Sequence, residues 1–404
     1  MKKISRFAKV TAFLLATVPT LLPAAAQEEQ KKEQEEGFRF TVVKENPITS
    51  VKNQNRSSTC WSFSSIGFFE AELLRKGKGE HDLSEMFVVH KTMEDRAERT
   101  VRLHGDVSFS PGGSFYDVAY CWRNYGMVPQ EVMPGILYGD TLPVHNELDA
   151  VAEGYVKALI ASNPRKLTPV WKNGLRGIYD AYLGVCPEEF VYQGKKYTPK
   201  SYAESLGLDM DDYVSLTSFT HHPYYTTFAL EIQDNWRQAQ SYNLPLDEFM
   251  QVFRHALNEG YTIAWGADVS ETGFSRQGIG VMVDEGKGAD LTGSDMARWL
   301  GLSAADRKKE LTSKPLPEME VTPEMRQTGY DNWETTDDHG MLIYGLAKDQ
   351  NGKEYYMVKN SWGTNSQYQG IWYVSEAFVR YKTINILVHR EAVPKDIRKK
   401  LGIK

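Results

Sequence analysis

Apolar residues in the first half of the chain follow helical patterns. The segment that follows Cys60 is apolar on nearly every face of a helix and ends at Gly77; its sequence is WSFSSIGFFEAELLRKG. This pattern predicts a buried helix with a glycine after its end. Residues 83–98 form a second predicted helix, with Ser84 placed to cap it. An amphipathic pattern over residues 114–125 predicts a third helix. The early part of the chain is therefore expected to be mainly helical.

The later part of the chain favours strands. After Gly260, runs of β-branched and aromatic residues predict strands at 261–269, 339–347, 354–362, 370–378 and 383–390, and an earlier one is predicted at 38–43. Residues 147–258 are mixed and mostly helical in pattern, with a loop expected at 192–200, and the polar residues 286–336 are expected to form a surface insertion. Helices early and strands late predict an α+β fold in which a helical half faces a β half.

The N-terminus has the pattern of an export signal. Four basic residues precede a short apolar run at 11–22, and Ala24-Ala25-Ala26 supplies the small residues of a cleavage site. The run is shorter than the ~20 apolar residues of a spanning helix, so a membrane anchor is the weaker alternative. We expect residues 1–26 to be a signal peptide, 27–37 a charged linker, and the mature protein to be soluble and periplasmic or extracellular.

Composition narrows the function classes. The formal net charge is -6, so the chain lacks the excess of positive charge that would attract nucleic acid. The chain has three cysteines, Cys60, Cys121 and Cys186, so at least one thiol is unpaired in a protein expected to be exported. Cys121 lies mid-helix and Cys186 in a loop, where structural roles are expected. Catalysis is a reason to keep Cys60 as a thiol.

Cys60 and four other residues form a candidate catalytic set. A helix N-terminus favours thiolate over thiol, so the pKa of Cys60 is expected to be lowered, and its N–H can face a reacting carbonyl oxygen. Gln54 can add a side-chain amide to that oxyanion hole. His339 begins one predicted strand and Asn360 ends the next, so adjacent antiparallel strands can join their side chains. Trp362 can cover that hydrogen bond from water.

The same residues stand in motifs that resemble the papain superfamily of cysteine peptidases: QNRSSTCWSF (54–63), DHG (338–340) and NSWG (360–363). The long separation of Cys60 and His339 resembles the bleomycin hydrolase / aminopeptidase C branch. So do the segments DLSEMF (82–87), YGMVP (125–129), DYVSL (212–216) and GADV (266–269). Ser57 stands where papain has a disulfide cysteine, as in that branch. The resemblance spans roughly residues 46–394.

The resemblance implies a papain-like two-domain fold: a helical domain, about 54–258 with insertions, and a β-barrel-like domain, about 260–390 plus 38–50. It implies a Cys60, His339 and Asn360 triad with Gln54 as the oxyanion residue. Five residues are expected on the substrate side of the cleft: Gly112, Gly113, Asp338, Trp362 and Lys404. Bare glycine backbone at 112–113 can pair with an extended peptide, and the carboxylate of Lys404 can hold a free α-amine if the tail 391–404 reaches the cleft. A homo-hexamer is also implied.

The expected activity is hydrolysis of peptide bonds through a Cys60 thioester, as an aminopeptidase acting on oligopeptides. An endopeptidase of the same chemistry and a non-catalytic peptide-binding protein are the alternatives. No metal or organic cofactor is implied. The pair His221-His222 is interpreted as structural or groove-lining, because adjacent side chains diverge and no HExxH or cysteine cluster accompanies them.

Overall fold

The structure, a computed structural model, describes residues 37–162, 165–284 and 303–404. In these ranges the helices are α1 Cys60–Arg75, α2 Glu85–Arg102, α3 Phe115–Tyr125, α4 Asn146–Ala161, α5 Val170–Leu183, α6 Pro199–Leu206, α7 Leu246–Asn258, α8 Ala304–Leu311, α9 Pro323–Asp331, α10 Glu376–Lys382 and α11 Lys395–Leu401. The strands are β1 Thr41–Glu45, β2 Phe190–Tyr192, β3 Lys195–Tyr197, β4 Tyr213–Thr217, β5 Thr227–Ala229, β6 Gln240–Asn243, β7 Ile263–Ala267, β8 Ile279–Gly280, β9 His339–Lys348, β10 Glu354–Lys359, β11 Ile371–Ser375 and β12 Thr383–His389.

The first three helices confirm the local predictions. Helix α1 is buried from Trp61 through Leu73 and is followed by Gly77 at φ +69°. Ser84 caps α2 by accepting a hydrogen bond from the backbone N–H of Phe87 at 3.1 Å. Ser114 precedes α3, as the amphipathic pattern indicated. Each of these features depends on residues close together in the chain, which is why sequence pattern identifies them.

A ten-stranded mixed sheet forms the other half of the fold, in the order β5-β6-β4-β12-β7-β9-β10-β11-β8, with β1 also paired to β9. Strand β9, which begins at His339, pairs with β7 and β10 and also packs against α1, the helix that begins at Cys60. The described strands form an open path and not a closed barrel. The fold is the predicted α+β arrangement, with a helical core on α1 and a second core between the sheet and α7.

Two parts of the middle of the chain differ from the pattern-based expectation. The loop expected at 192–200 begins within a hairpin, β2–β3. Strands β4, β5 and β6 lie in the stretch that was expected to be mostly helical, and β4 joins the main sheet by pairing with β12. The β12 partner of β4 lies about 170 residues away in the chain, so this pairing depends on tertiary context and not on local propensity.

Some predictions fall outside the described residues. The signal peptide and nearly all of the charged linker lie in residues 1–36. The first part of the insertion expected at 286–336 also lies outside, whereas residues 303–336 contain α8 and α9. Within the described ranges no helix combines the length and the apolar character needed to cross a bilayer.

Candidate active site

Cys60 is the first residue of α1 and is partly exposed, although the helix behind it is buried. The start of β9 packs directly onto this end of the helix. A Cβ at Gly340 would lie 2.6 Å from Ser64 Oγ and 3.4 Å from the Cys60 carbonyl oxygen, so only glycine permits the approach. The Gly340 N–H points at the Cys60 thiol. Because His339 immediately precedes Gly340, this contact brings the predicted nucleophile and the predicted base together.

The imidazole of His339 is fixed by Asn360. Its Nε2 donates to Asn360 Oδ1 at 2.8 Å, and both side chains are buried. Strands β9 and β10 are antiparallel neighbours, which carries Asn360 back to the start of β9. A neutral ring that donates through Nε2 keeps a lone pair on Nδ1, the nitrogen that can accept a proton from a thiol. The predicted His–Asn contact is therefore present.

Trp362 covers the histidine. Its indole stacks on the His339 ring with centroids 4.8 Å apart and an interplanar angle of 29°. Phe274 and Trp372 meet the same indole edge-on, which holds its orientation. The indole thus shields the ring as expected, and this contact accounts for Trp362 without a peptide ligand.

The pKa values of the two reacting groups depart from the expected direction. Burial raises the pKa of the Cys60 thiol to about 12, with the negative charges of Asp337 and Asp234 adding to it and the N–H groups of Gly340 and Trp61 opposing it. Burial lowers the pKa of His339 to about 4, although the hydrogen bond that its ring donates to Asn360 acts in the opposite direction. The prediction of a lowered thiol pKa from the helix N-terminus is wrong for Cys60 considered alone, because desolvation and two carboxylates outweigh the helix.

Proton transfer from Cys60 to His339 would create two opposite charges and no net charge, so their mutual attraction would offset part of the burial cost that each ion has alone. We therefore expect the two groups to titrate as a pair, with the thiolate and the imidazolium forming together.

Gln54 is positioned by Ser361, the residue after Asn360. The Gln54 backbone N–H donates to the Ser361 carbonyl at 2.8 Å, and the Ser361 hydroxyl donates to Gln54 Oε1 at 2.5 Å. Gln54 is 6% exposed, so its orientation is held inside the protein. With Oε1 occupied as an acceptor, the amide nitrogen is the group that can donate to an oxyanion. Ser361 was not predicted as a functional residue, although it stands within the NSWG motif.

Gly112 and Gly113 lie beside the start of α1 for reasons of packing. A Cβ at Gly112 would clash with the Asp234 carboxylate, and one at Gly113 would lie 2.8 Å from the Trp61 indole. The Gly112 carbonyl already accepts from Arg96 Nη1 at 2.5 Å. Across the described ranges no hydrogen bond involves the backbone of Gly113. Of the two glycines, Gly113 is thus the one whose main chain can pair with a peptide.

The Asp338 carboxylate is engaged within the protein. Its two oxygens accept from the Val269 N–H, at 2.9 Å, and from the Ser270 hydroxyl. These bonds tie the loop after β7 to the start of β9. The side chain of Asp338 therefore orients this loop, and its expected contact with substrate remains a prediction.

The C-terminal tail packs away from these groups. In α11, Ile397 and Leu401 are buried in the core beneath α7, and Lys400 Nζ lies 2.8 Å from Glu248 Oε1. Ile403 packs against the same core. None of the described contacts of residues 395–403 is with Cys60, His339 or Gly112. The structure does not bring the tail to the catalytic groups, and the role of Lys404 remains a prediction from the family resemblance.

Two acidic residues next to the thiol escaped sequence analysis. Asp234 and Asp337 both raise the pKa of Cys60 and both line a cavity of about 650 Å³. Burial, Asp234 and Asp338 raise the pKa of Asp337 to about 8. Asp337 adjoins the DHG motif and could have been noticed there. Asp234 lies in an irregular segment far from every motif, so nothing in the sequence signalled it.

The interpretation of His221 and His222 is wrong in one respect. Their side chains do not diverge: His221 Nε2 lies 3.0 Å from Glu231 Oε2, and His222 Nε2 lies 3.0 Å from Glu231 Oε1. The expected divergence holds for neighbours in a strand, whereas this dipeptide lies in a bend between β4 and β5. Both rings therefore turn to one carboxylate on the wall of the same cavity.

Comparison with known proteins supports the same chemistry. A family model described as "Peptidase C1-like family" matches residues 182–287 and 319–403, and one described as "Papain family cysteine protease" matches residues 38–96. Aminopeptidase G of Lactobacillus delbrueckii subsp. lactis is 24% identical, over 87% of this chain and 83% of its own. Aminopeptidase C of Streptococcus thermophilus is 22% identical, over 90% of this chain and 85% of its own.

One solved structure shares the fold over nearly the whole chain. The crystal structure of PepW from Lactobacillus rhamnosis HN001 superposes with a TM-score of 0.66 at 19% identity, covering 94% of this chain and 91% of that chain. The matched segments include Cys60 in one family model and His339 with Asn360 in the other. The chain carries papain-family C1 peptidase segments and has aminopeptidases C, G and E of the bleomycin hydrolase-like family as homologues, and it is a cysteine-type peptidase.

Proposed function

We propose that this protein is an aminopeptidase that removes residues from oligopeptides with Cys60 as nucleophile, His339 as acid and base, and Asn360 as the residue that orients it. The Cys60 thiolate attacks the scissile carbonyl carbon, and the Cys60 N–H with the Gln54 amide binds the oxyanion. The imidazolium of His339 then donates its proton to the departing amine. Water, deprotonated by His339, then hydrolyses the thioester and regenerates the thiol.

The observation that carries this mechanism is the contact between Gly340 and the first turn of α1. It places the thiol next to the residue that follows His339, while Asn360 holds the far nitrogen of the imidazole at 2.8 Å. The direct test is labelling by a thiol-reactive epoxide inhibitor, read by mass spectrometry. The adduct should form on Cys60 and be absent in Cys60→Ala, with peptide hydrolysis lost in the same variant. Hydrolysis that survives in Cys60→Ala would refute the mechanism.

Preference for a free α-amine requires a negative group near the scissile bond. The relatives named above are called aminopeptidases, and this supports exopeptidase specificity here. The tail that would present the Lys404 carboxylate packs on α7, so we propose that Asp337 and Asp234 attract the ammonium instead. Asp337 has a pKa of about 8 because it is buried beside two other carboxylates, and a bound cation would relieve that repulsion.

Two substrates separate this proposal from endopeptidase activity. Peptides with a free amine should be cut from the N-terminus, and the same peptides with an acetylated amine should be cut poorly or not at all. Asp337→Asn should raise KM for the free-amine peptides. Removal of residues 401–404 tests the expectation that the Lys404 carboxylate holds the α-amine of the substrate. A change from stepwise to internal cleavage would show that the tail binds this amine. Equal cleavage of blocked and unblocked peptides would establish an endopeptidase.

Export and assembly complete the proposal. The basic and apolar pattern of residues 1–26 supports a periplasmic or extracellular enzyme, and the family resemblance supports a homo-hexamer. N-terminal sequencing of the mature protein after cell fractionation tests the first: a chain that starts at residue 1 in the cytoplasm would contradict it. Light scattering during size-exclusion chromatography tests the second, and a monomer's mass would contradict it.

A further inference from the structure

Two histidines and one glutamate meet at the wall of the cavity that Asp234 and Asp337 also line. His221, His222 and Glu231 each offer a ligand atom, and these atoms all lie within 4.8 Å of one another. The side chains are 28%, 35% and 57% exposed respectively, so an ion can reach them from solvent. Aromatic neighbours hold the two rings: His222 stacks on Phe228 with centroids 4.2 Å apart, and His221 stacks on Tyr330 at 5.7 Å.

Gln327 determines which ring nitrogen of neutral His221 carries the hydrogen. The amide nitrogen of Gln327 donates to Asp331 Oδ1 at 2.8 Å, which orients Oε1 toward the other side. Oε1 accepts from the backbone N–H of Thr220 at 2.6 Å and lies 3.3 Å from His221 Nδ1. Since Oε1 can only accept, Nδ1 must be the donor. In neutral His221 the remaining nitrogen, Nε2, therefore carries the lone pair.

In neutral His221 this lone pair faces a carboxylate. Two acceptors at 3.0 Å repel unless a proton or a metal cation lies between them. A ring nitrogen fixed as a lone pair by a hydrogen bond on its other side is the arrangement typical of metal-binding histidines. The geometry points to a first-row divalent metal site of the Zn²⁺ class, made by His221 Nε2, His222 Nε2 and Glu231.

The spacing suits such an ion. At metal–ligand distances of ~2.0–2.1 Å, ligand atoms on a tetrahedral centre are about 3.3 Å apart. The two N···O separations are 3.0 Å, one to each carboxylate oxygen, and one ligand atom from each residue lies within 4.8 Å of the others, so side-chain rotation can bring the three atoms to this spacing. Imidazole ligands select Zn²⁺, Cu²⁺, Ni²⁺ or Fe²⁺ over the hard ions Mg²⁺ and Ca²⁺, which prefer all-oxygen sites. Three ligands leave a position for water.

The test measures binding in the full chain carrying Cys60→Ala, which removes the catalytic thiol as a competing ligand. Zn²⁺ is titrated against a chromophoric chelator, and Co²⁺ is followed by its visible absorption. We expect one high-affinity equivalent and intense tetrahedral Co²⁺ bands. His222→Ala and Glu231→Gln should each weaken Zn²⁺ binding by more than about tenfold, and Gln327→Leu by about 10–100-fold, the usual effect of losing an outer-sphere partner.

His104→Asn in the same background is the matched control. His104 is exposed and lies at φ +53°, a conformation that asparagine tolerates, so its replacement should leave Zn²⁺ affinity unchanged. Equal affinity in His222→Ala and His104→Asn would overturn the proposal, as would a chain that binds no Zn²⁺ and in which the cluster is only an ion pair. Because the background is inactive, the outcome does not depend on whether the protein is an aminopeptidase.

Discussion

Replacing Gln54 by alanine removes the side-chain amide that we expect to bind the oxyanion. Loss of one such donor costs ~2.7–4 kcal/mol of transition-state stabilisation. At 1.36 kcal/mol for each factor of ten, the expected fall in kcat is about 10²–10³-fold. KM should change little, because the oxygen acquires its charge only in the transition state. The backbone bond from Gln54 to Ser361 survives the substitution, so the loop should keep its course.

Two further variants separate the donor from its support. Gln54→Glu keeps the shape and the bond from the Ser361 hydroxyl to Oε1, but it places an acceptor where the amide nitrogen stood. Its loss should therefore equal or exceed that of Gln54→Ala. Ser361→Ala leaves the amide in place without its partner and should give an intermediate loss in kcat. Steady-state hydrolysis of an aminoacyl-coumarin amide supplies kcat and KM for all three.

Two results would contradict this role for Gln54. If Gln54→Ala retains kcat within about threefold of the parent, the amide does not contact the oxyanion and the hole is made of other groups. If Gln54→Glu is more active than Gln54→Ala, packing and not hydrogen-bond donation explains the residue. Circular dichroism and unfolding in urea show whether each variant has kept its fold.

Three other predictions follow from the same geometry. Asn360→Ala frees the His339 ring and should lower kcat by up to about 10²-fold, the lower end of what acid–base catalysis contributes, and unchanged kcat would contradict the role. Above its own pKa of about 8 the Asp337 carboxylate raises the pKa of Cys60, so Asp337→Asn should increase the rate of inactivation by iodoacetamide above pH 8 and leave it unchanged at lower pH; an unmoved pH profile would show that this charge does not act on the thiol. Burial lowers the pKa of Lys359 from 10.5 to about 8, so the folded state binds fewer protons than the unfolded one in that window and stability should increase from pH 8 to 10.5. Lys359→Met should lose that increase in urea titrations, and an identical pH dependence in both proteins would refute it.

Much of the fold follows from local pattern. Helix α1 begins at Cys60 and ends before Gly77 because an apolar run and a glycine suffice to specify both ends. Ser84 and Ser114 begin their helices for equally local reasons. Five strands after residue 260, namely β7, β9, β10, β11 and β12, were predicted near their observed positions because they are rich in β-branched and aromatic residues, whereas the two-residue strand β8 was not predicted and residues 376–378 begin α10. Strands β4, β5 and β6 were not predicted, since each is short and the sheet that they join is reached through the pairing of β4 with β12, which is distant in the chain.

Some residues of the candidate site were predicted from the sequence, and others were identified only by the tertiary structure. Residue types and motif order in the sequence predicted Cys60, His339, Asn360 and Gln54, because short segments adjacent to secondary-structure ends carry them. Only the tertiary structure placed Asp234 and Asp337 beside the thiol, and their charge with the burial of the site reverses the expected direction of the Cys60 pKa.

Tertiary structure likewise decided where the tail packs and how His221 and His222 meet Glu231. Local pattern determines which segments become helices and strands, whereas electrostatic field and burial arise from groups that are far apart in the chain and close in space. The chain by itself therefore determined the catalytic residue types, and folding determined the charges that surround them.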